Sequence, residues 1–599
     1  MKRMNITIRR IITSGLLAIG LLAGGCTKVL DKLPESQLAA GQVYNNINDA
    51  DAAVVGLYGK LMGLAKQYVV LNELRADLVD VTDNADGYLR EINLHKVSAD
   101  NPYANPRPFY ALINDCNDVL KNFNIMLAAN KLKTAEYQQR YSDVGALRSW
   151  LYLQLGIHWG TVPYVTDPLE TVDAVQDGSK YPAIPFSQLL DTLIAFTGNL
   201  PFKSPYPTGV GVNVSLVTSV DGTQSQRFFI DKYSLLGDLN LWKGNYRVAA
   251  SWYRMLMEHT GYDLDNPSGL YSNGDQFFQE FRQAYADVSN HTDLCIGYIR
   301  GQESNQYALI DNNTQGWRSM FSRTQDNLFR QQMLWVLPFN SNFAPANPFI
   351  DLFSNIGGSY LLRPSQQSMD NWNAQFQANG FPYDARGYFS WKMIGGQPVI
   401  MKYLYNYIDG NALVPTNPLA KNGQWFLNRV ADVHLRFAEA ANRDGFPKLA
   451  AAFLNNGINN TFDTSTASGR DVTNMQNTFF YPDPYKFDAR NGEYPRYRGD
   501  WYRNAGIRGC AYVTRAPINA ADSVGSIETD LINEAALELA YEGYRWSDLL
   551  RIALRRGDKD FLANAVADKL KKDNIPGAED VRKRLSSDIK NWYLPFKWK

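Results

Sequence analysis

A recurring helix, turn, helix unit limits the fold of this 599-residue chain more than any other feature. Its clearest copy begins at Leu235-Leu236-Gly237, breaks at Gly244-Asn245-Tyr246 and resumes with Ala249 and Tyr253. That spacing sets Tyr246, Ala249 and Tyr253 on one face of a second helix. The small Ala249 lets two helices close up, and the two rings fill the space between them. A second copy places Leu435, Ala438, Glu439 and Ala440 in its first helix, Gly445-Phe446 at the turn, and Ala450 and Phe453 in its second. Residues 147–160 supply a third unit of the same kind. A hairpin of this kind cannot bury its apolar face alone, so several copies imply stacked helical pairs.

The pattern resembles the tetratricopeptide repeat, and helical periodicity extends beyond it. Val54, Leu57, Tyr58, Leu61 and Met62 fall at helical spacing within 48–67, and 71–78 continues it. Residues 110–129 and 134–158 read as two long amphipathic helices, the second stopped by Gly160-Thr161-Val162-Pro163. Residues 79–108 read as polar loop and 527–556 as strong helices. Residues 199–227 are rich in Pro, Gly, Val and Ser and read as loop with short strands. Residues 260–423 are aromatic, Asn-rich and Gly-rich. So long a structureless stretch is rare in a compact domain, so an irregular lobe of loops, short helices and a few strands is expected there. Its best strand is 333–339, with Trp335 in the core. The end, Trp592-Tyr593-Leu594-Pro595-Phe596, reads as a segment docked by its rings. The expected class is therefore mostly α: a tetratricopeptide-like scaffold carrying a loop-rich lobe. The divisions fall at 1–25, 26–47, 48–259, 260–423 and 424–599.

The first division is a secretory signal. Lys2-Arg3 and Arg9-Arg10 precede apolar residues 11–22, then Ala23-Gly24-Gly25-Cys26. An apolar core of about a dozen residues is short of the roughly 20 that span a bilayer. A cysteine just after small residues resembles a bacterial lipobox, which implies cleavage between Gly25 and Cys26 and acylation of Cys26. Two or three acyl chains anchor a protein stably. Lys+Arg and Asp+Glu are both 60. That balance argues against nucleic acid as a partner, because such binders need a basic surface. Besides Cys26 there are Cys116, Cys295 and Cys510, so at most one intramolecular disulfide can form. Cys116 reads as a buried small hydrophobe in a helix.

Several runs, taken in order, resemble the SusD/RagB family of Bacteroidota outer-membrane nutrient-binding lipoproteins. They are the lipobox cysteine with Leu30-Asp31-Lys32-Leu33-Pro34; Ala146-Leu147-Arg148-Ser149-Trp150-Leu151-Tyr152 with Trp159-Gly160-Thr161-Val162-Pro163; Arg363-Pro364-Ser365; Asp384-Ala385-Arg386; Arg436-Phe437-Ala438-Glu439-Ala440; and Glu538-Leu539-Ala540-Tyr541-Glu542-Gly543-Tyr544-Arg545-Trp546-Ser547-Asp548-Leu549. The chain departs from the family at Asn533-Glu534-Ala535-Ala536 and Gly457-Ile458-Asn459-Asn460, and 260–334 is longer than usual. The resemblance implies a lipid-anchored protein on the outer face of the outer membrane. It would lid a TonB-dependent, SusC-like transporter, capture an oligomeric glycan and pass it on without chemistry or cofactor.

Sugar capture needs flat rings against C–H faces and short polar groups for the hydroxyls. Asp83-Asn84-Ala85-Asp86-Gly87-Tyr88 and Asn101-Pro102-Tyr103-Ala104-Asn105-Pro106-Arg107 carry such sets. The ligand candidates are Asp83, Tyr88, Asn101, Tyr103, Trp317 and Trp372. Trp317 leads because Gly316 and Arg318 flank it rather than apolar residues; Trp391 is a further candidate. The alternatives are a peptide-binding lid of a peptide importer, a purely structural lid, and a glycoside hydrolase. A hydrolase would need two carboxylates facing each other. Asp80, Asp83 and Asp86 read instead as turns and a helix cap, and Glu534, Glu538 and Glu542 as one structural helix face. The five histidines form no HExxH or other close pair and there is no CxxC, so neither a catalytic site nor a metal site is expected.

Overall fold

The computed structural model describes residues 43–170, 180–206, 214–220, 223–258, 316–322, 333–376, 384–462, 478, 480–487, 506–511 and 513–597. Cys26 with its leader, and Cys295, lie outside the described residues. Helix α1 (Ile47–Met62) starts on a reciprocal cap. Asn48 N donates to Asn46 Oδ1 at 2.8 Å, and Asn46 N donates to Asp49 Oδ2 at 3.2 Å. A short α2 (Gly87–Asn93) follows, then the long pair α3 (Arg107–Ala128) and α4 (Thr134–Trp159), which matches the periodicity to within three residues at each end. The scaffold continues through α5 (Phe186–Gly198), α6 (Lys232–Lys243) and α7 (Tyr246–Glu258). After α8 (Pro348–Phe353) come α9 (Val430–Arg443), α10 (Pro447–Leu454), α11 (Ser523–Glu538), α12 (Arg545–Arg556), α13 (Lys559–Lys572) and α14 (Ala578–Ser587). Each scaffold helix packs on the next, from α1 against α3 through α7 against α9 to α9 against α11.

The repeat chemistry sets these contacts. Asp231 Oδ1 accepts from Ser234 N at 2.7 Å to start α6, and Gly244, at φ +87°, ends it. Ala249 and Tyr253 are fully buried, and the Tyr253 hydroxyl donates to Asp238 Oδ1 at 2.6 Å. Its ring occupies the space that any side chain at Gly237 would need. In the second copy, Gly445 turns the chain at φ +91°, and the Phe437 and Phe453 rings meet at 4.7 Å. Cys116 is buried on α3.

Among the described residues every sheet has two strands. The strands used here are β1 (Val79–Val81), β2 (Thr161–Pro163), β3 (Ala183–Pro185), β4 (Met333–Phe339), β5 (Leu362–Pro364), β6 (Trp391–Ile394), β7 (Gln397–Ile400) and β8 (Gly423–Arg429). β4 coincides with the predicted strand. It pairs antiparallel with β8, every residue of both is buried, and Trp335 lies in the core. Residues 79–108, expected as loop, contain β1 and α2. Seven residues are too few to print a helical period, so only the capping Asp86 betrayed α2. The tail docks by its rings: Trp592 is fully buried, and Leu594 N donates to the His158 carbonyl at 2.8 Å. Among the described residues no helix is long and apolar enough to cross a membrane.

Candidate functional site

The β1–β5 ribbon carries the most exposed of the sequence candidates. Val79, Asp80 and Val81 face Pro364, Arg363 and Leu362 across it. Beyond Val81 the chain is pinned to the strand that returns. Thr82 N donates to the Leu361 carbonyl at 3.0 Å, the Thr82 hydroxyl bonds the Tyr360 carbonyl, and Asn84 Nδ2 donates to the Ser359 carbonyl at 3.1 Å. Arg90 reaches back from α2 to the carbonyls of Thr82 and Asp83, at 3.1 and 3.0 Å. Asp86 Oδ1 caps α2 by accepting from Leu89 N at 2.8 Å. Tyr88 stands on the first turn with 38% of its surface exposed, and Asp83 is exposed beside the turn.

The second loop is hung on Glu91 and Asn101. Glu91 Oε2 accepts from Ser98 N at 3.0 Å, Ser98 Oγ at 2.6 Å and Asn101 Nδ2 at 3.0 Å. The Ser98 hydroxyl, then Asn101, hold its carboxyl below the usual carboxylate range. Asn101 Nδ2 also donates to the Tyr88 carbonyl at 2.9 Å, while its Oδ1 accepts from Tyr103 N at 3.0 Å. Gln67 Nε2 holds the carbonyls of Tyr103 and Asn105, each at 2.8 Å. Tyr103 is half-buried and Lys66 Nζ lies 5.9 Å from its ring centre. Lys66 also pairs with Asp351 at 3.5 Å, and Asp351 accepts from the Ser359 hydroxyl. Burial pushes the Tyr103 hydroxyl up, and Lys66 works against it.

Asp83, Tyr88, Asn101 and Tyr103 are thus gathered in one place. Asn101, however, is buried and spends its amide inside the protein, so it positions the two tyrosines and does not face solvent. Trp317 and Trp372 are not part of this face. Trp317 is fully buried, edge-on to Phe321 at 5.0 Å, with Lys402 Nζ 5.1 Å from its ring centre. Trp372 is also buried, 5.8 Å from Tyr541, and its base packs where Gly387 has no side chain. Both indoles are core, so the expectation that Trp317 and Trp372 contact a ligand is corrected: polar neighbours in sequence did not mean solvent in space. Trp391 is half-buried at the start of β6. Lys66, Asp351 and Ser359 were missed. Lys66 reaches the face from a short helical turn, Asp351 from α8 and Ser359 from the segment after α8, and no spacing in the sequence links them to the tyrosines.

The carboxylates weighed as a catalytic pair are tied into ion pairs. Glu534 and Glu538 share Arg386 with Asp384; Glu538 and Glu542 share Arg429; Lys402 bonds Glu542; and Arg508 bonds Glu534. Glu534, Glu538 and Glu542 are fully buried. Burial alone would raise Glu538, but Arg429 and Arg386 draw it down to about 2. Glu542 lies in the turn beyond α11, so the three do not share one helix face as expected. Asp80 is likewise engaged, by Asn93 at 2.7 Å and Arg363 at 3.1 Å. Among the described residues no group of three or more His, Cys, Asp or Glu side chains could hold a metal ion.

No family model matches the sequence, and no curated protein matches it. Solved structures match it in fold. One is a SusD superfamily protein from Bacteroides vulgatus, 14% identical, TM-score 0.52, covering 92% of this chain and 96% of that one. A laminarin-binding SusD-like protein is 13% identical at TM-score 0.52, and surface glycan-binding protein A from Bacteroides uniformis is 15% identical at 0.51. Each covers 92% of this chain and 96% of its own. The helical-hairpin scaffold therefore has a SusD-like fold, and residues 260–315, 323–332 and 377–383 of the lobe expected at 260–423 lie outside the described residues.

Proposed function

Given this SusD-like fold, we propose that the chain is a SusD/RagB-type nutrient-binding lipoprotein, anchored through acylated Cys26 at the outer face of the outer membrane, that captures a glycan and delivers it to a SusC-like TonB-dependent transporter. It does so without chemistry. The observation that carries the proposal is the Tyr88–Tyr103 face: an exposed ring on the first turn of α2 and a half-buried ring on the loop that follows, braced by Asn101, Glu91, Gln67 and Arg90, with Asp83, Asp86 and Asp351 beside them. Rings on a fixed support stack on pyranose faces at little entropic cost, and carboxylates accept from hydroxyls. Two of the structural neighbours are named for binding laminarin and surface glycan, which supports a glycan as the ligand.

Isothermal titration of the mature chain against oligosaccharide and peptide panels tests the proposal. Glycan binding in the micromolar to millimolar range that is lost in Tyr103→Ala, with no release of reducing ends, is expected. Peptide binding in its place, or glycan cleavage, overturns it. Acylation is tested by labelling cells with an alkyne fatty acid, where wild type takes the label and Cys26→Ala does not. The transporter partner is tested by co-purification in detergent.

A further inference from the structure

We propose that the ring of Trp598 seats in an apolar cleft at the start of α3 and pegs the tail to the scaffold. Trp598 and Lys599 lie outside the described residues, directly after Lys597. The proposal concerns a docking surface within the chain and does not depend on which ligand the protein takes.

The cleft has a volume of about 310 Å³. It is lined by Pro106, Tyr110, Ala111 and Ile113 at the start of α3, and by Val165 and Leu169 from the segment after β2. Hydrogen bonds fix its shape. The Tyr110 hydroxyl donates to the Pro163 carbonyl at 2.7 Å, and Leu169 N donates to Asn114 Oδ1 at 2.6 Å. A cavity of roughly 150 Å³ takes a benzene ring. This one therefore has room for the fused rings of an indole.

The tail leads straight to it. Trp592 is fully buried, the Tyr593 ring lies against Gly160, and Leu594 N donates to the His158 carbonyl at 2.8 Å. The Phe596 ring then meets Tyr110, which lines the cleft, edge-on at 6.1 Å. Lys597 itself stands at the cleft. The next α-carbon is about 3.8 Å farther on, so the side chain of residue 598 starts within reach of the cleft and cannot travel far from it. Rings at 592, 593 and 596 hold the tail, and the indole at 598 continues the series. Outside the cleft, the indole and the apolar lining would both stay hydrated; seating it takes both out of water. Pro106 and Arg107, which also line the cleft, close the segment that carries Tyr103. The peg thus ties the tail to the base of that loop.

The test is fluorine NMR of the full mature chain labelled with 5-fluorotryptophan, with a soluble gadolinium chelate as the probe of exposure. The chain has 13 tryptophans, and the line missing from Trp598→Phe belongs to residue 598. The expected result is a line that the chelate leaves sharp. The double variant Ala111→Glu, Leu169→Glu puts two carboxylates into the lining and should open that line to broadening, with the fold checked by circular dichroism. Broadening of the wild-type line to the extent seen in the urea-unfolded chain overturns the proposal and leaves the cleft to a ligand from outside. So does a line that stays protected in a folded double variant, because the indole is then buried elsewhere. If the double variant does not fold, the wild-type line alone decides, since Lys597 holds residue 598 within reach of no other apolar seat than this one.

Discussion

Asn101 Nδ2 lies 3.0 Å from Glu91 Oε2, inside the loop whose outer side carries Tyr103. The pair ties α2 to the loop that follows it, because the same amide also donates to the Tyr88 carbonyl. Asn101→Ala should therefore weaken glycan binding without removing a ligand contact. The lost hydrogen bonds amount to about 1–3 kcal/mol of loop stability. Titration calorimetry should show an affinity loss carried by entropy, while the melting temperature moves little. Unchanged affinity would show that the tyrosines do not need this brace.

Trp317 and Tyr103 should separate stability from binding. Trp317→Ala empties a fully buried indole site beside Phe321 and Lys402 and should cost about 3–5 kcal/mol. Trp317→Phe keeps the chain folded at a smaller cost. Tyr103→Ala should lower the melting temperature by less than Trp317→Ala does and remove binding. Thermal denaturation and titration of all three check this. Binding lost in a well-folded Trp317→Phe would contradict the core assignment.

Gly237→Ala tests the repeat packing. A Cβ at this position would stand 2.3 Å from Tyr253 Cε1, with the ring fixed by its bond to Asp238. Alanine favours helix by about 1 kcal/mol over glycine, but overpacking here costs about 1–3. A lower melting temperature is expected. Tyr253→Phe in the same background should relieve part of the loss, since the ring can then tilt.

Glu73 should make stability fall with pH. Burial pushes its carboxyl up to about 8, against the amides of Gly543 and Tyr544, which donate to Oε1 at 2.6 and 3.1 Å. Between the ordinary carboxylate range and about 8 the folded chain holds a proton that the unfolded chain has lost. Stability therefore drops as pH rises through that window. Glu73→Gln keeps the acceptor and cannot ionise. Its melting temperature should exceed that of wild type by a margin that widens from pH 5 to pH 8.5. Parallel curves would show that the carboxylate is not held neutral.

The scaffold was legible because its signals are local. Gly244 and Gly445 mark the turns, Ala249 and Tyr253 mark the seam, and the α3 and α4 periods are long enough to bound both helices. The same holds for 333–339, whose apolar run is an unbroken buried strand. The site was legible in part. Asp83 and Tyr103 lie on loops and Tyr88 on the short α2 between them, a segment whose composition shows, while Lys66 and Asp351 arrive from other parts of the chain. Trp317 misled because its covering groups, Phe389 and Lys402, come from seventy and more residues downstream, so flanking Gly316 and Arg318 say nothing about its surroundings. Likewise Glu542 follows Glu538 at a helical interval, yet the helix has already ended.

Beneath the ribbon, the Lys569 ammonium on α13 donates to the carbonyls of Leu74 and Val79 and to Asn93 Oδ1, at 2.9, 3.2 and 2.7 Å. Leu74 and Val79 precede α2, which carries Tyr88, Asn93 ends it, and Leu74 is 495 positions away in the chain. A ribosome must therefore finish almost the whole polypeptide before the ground under the tyrosines can set. A product cut short of α13 would be born with every ring of that face and no foundation for them.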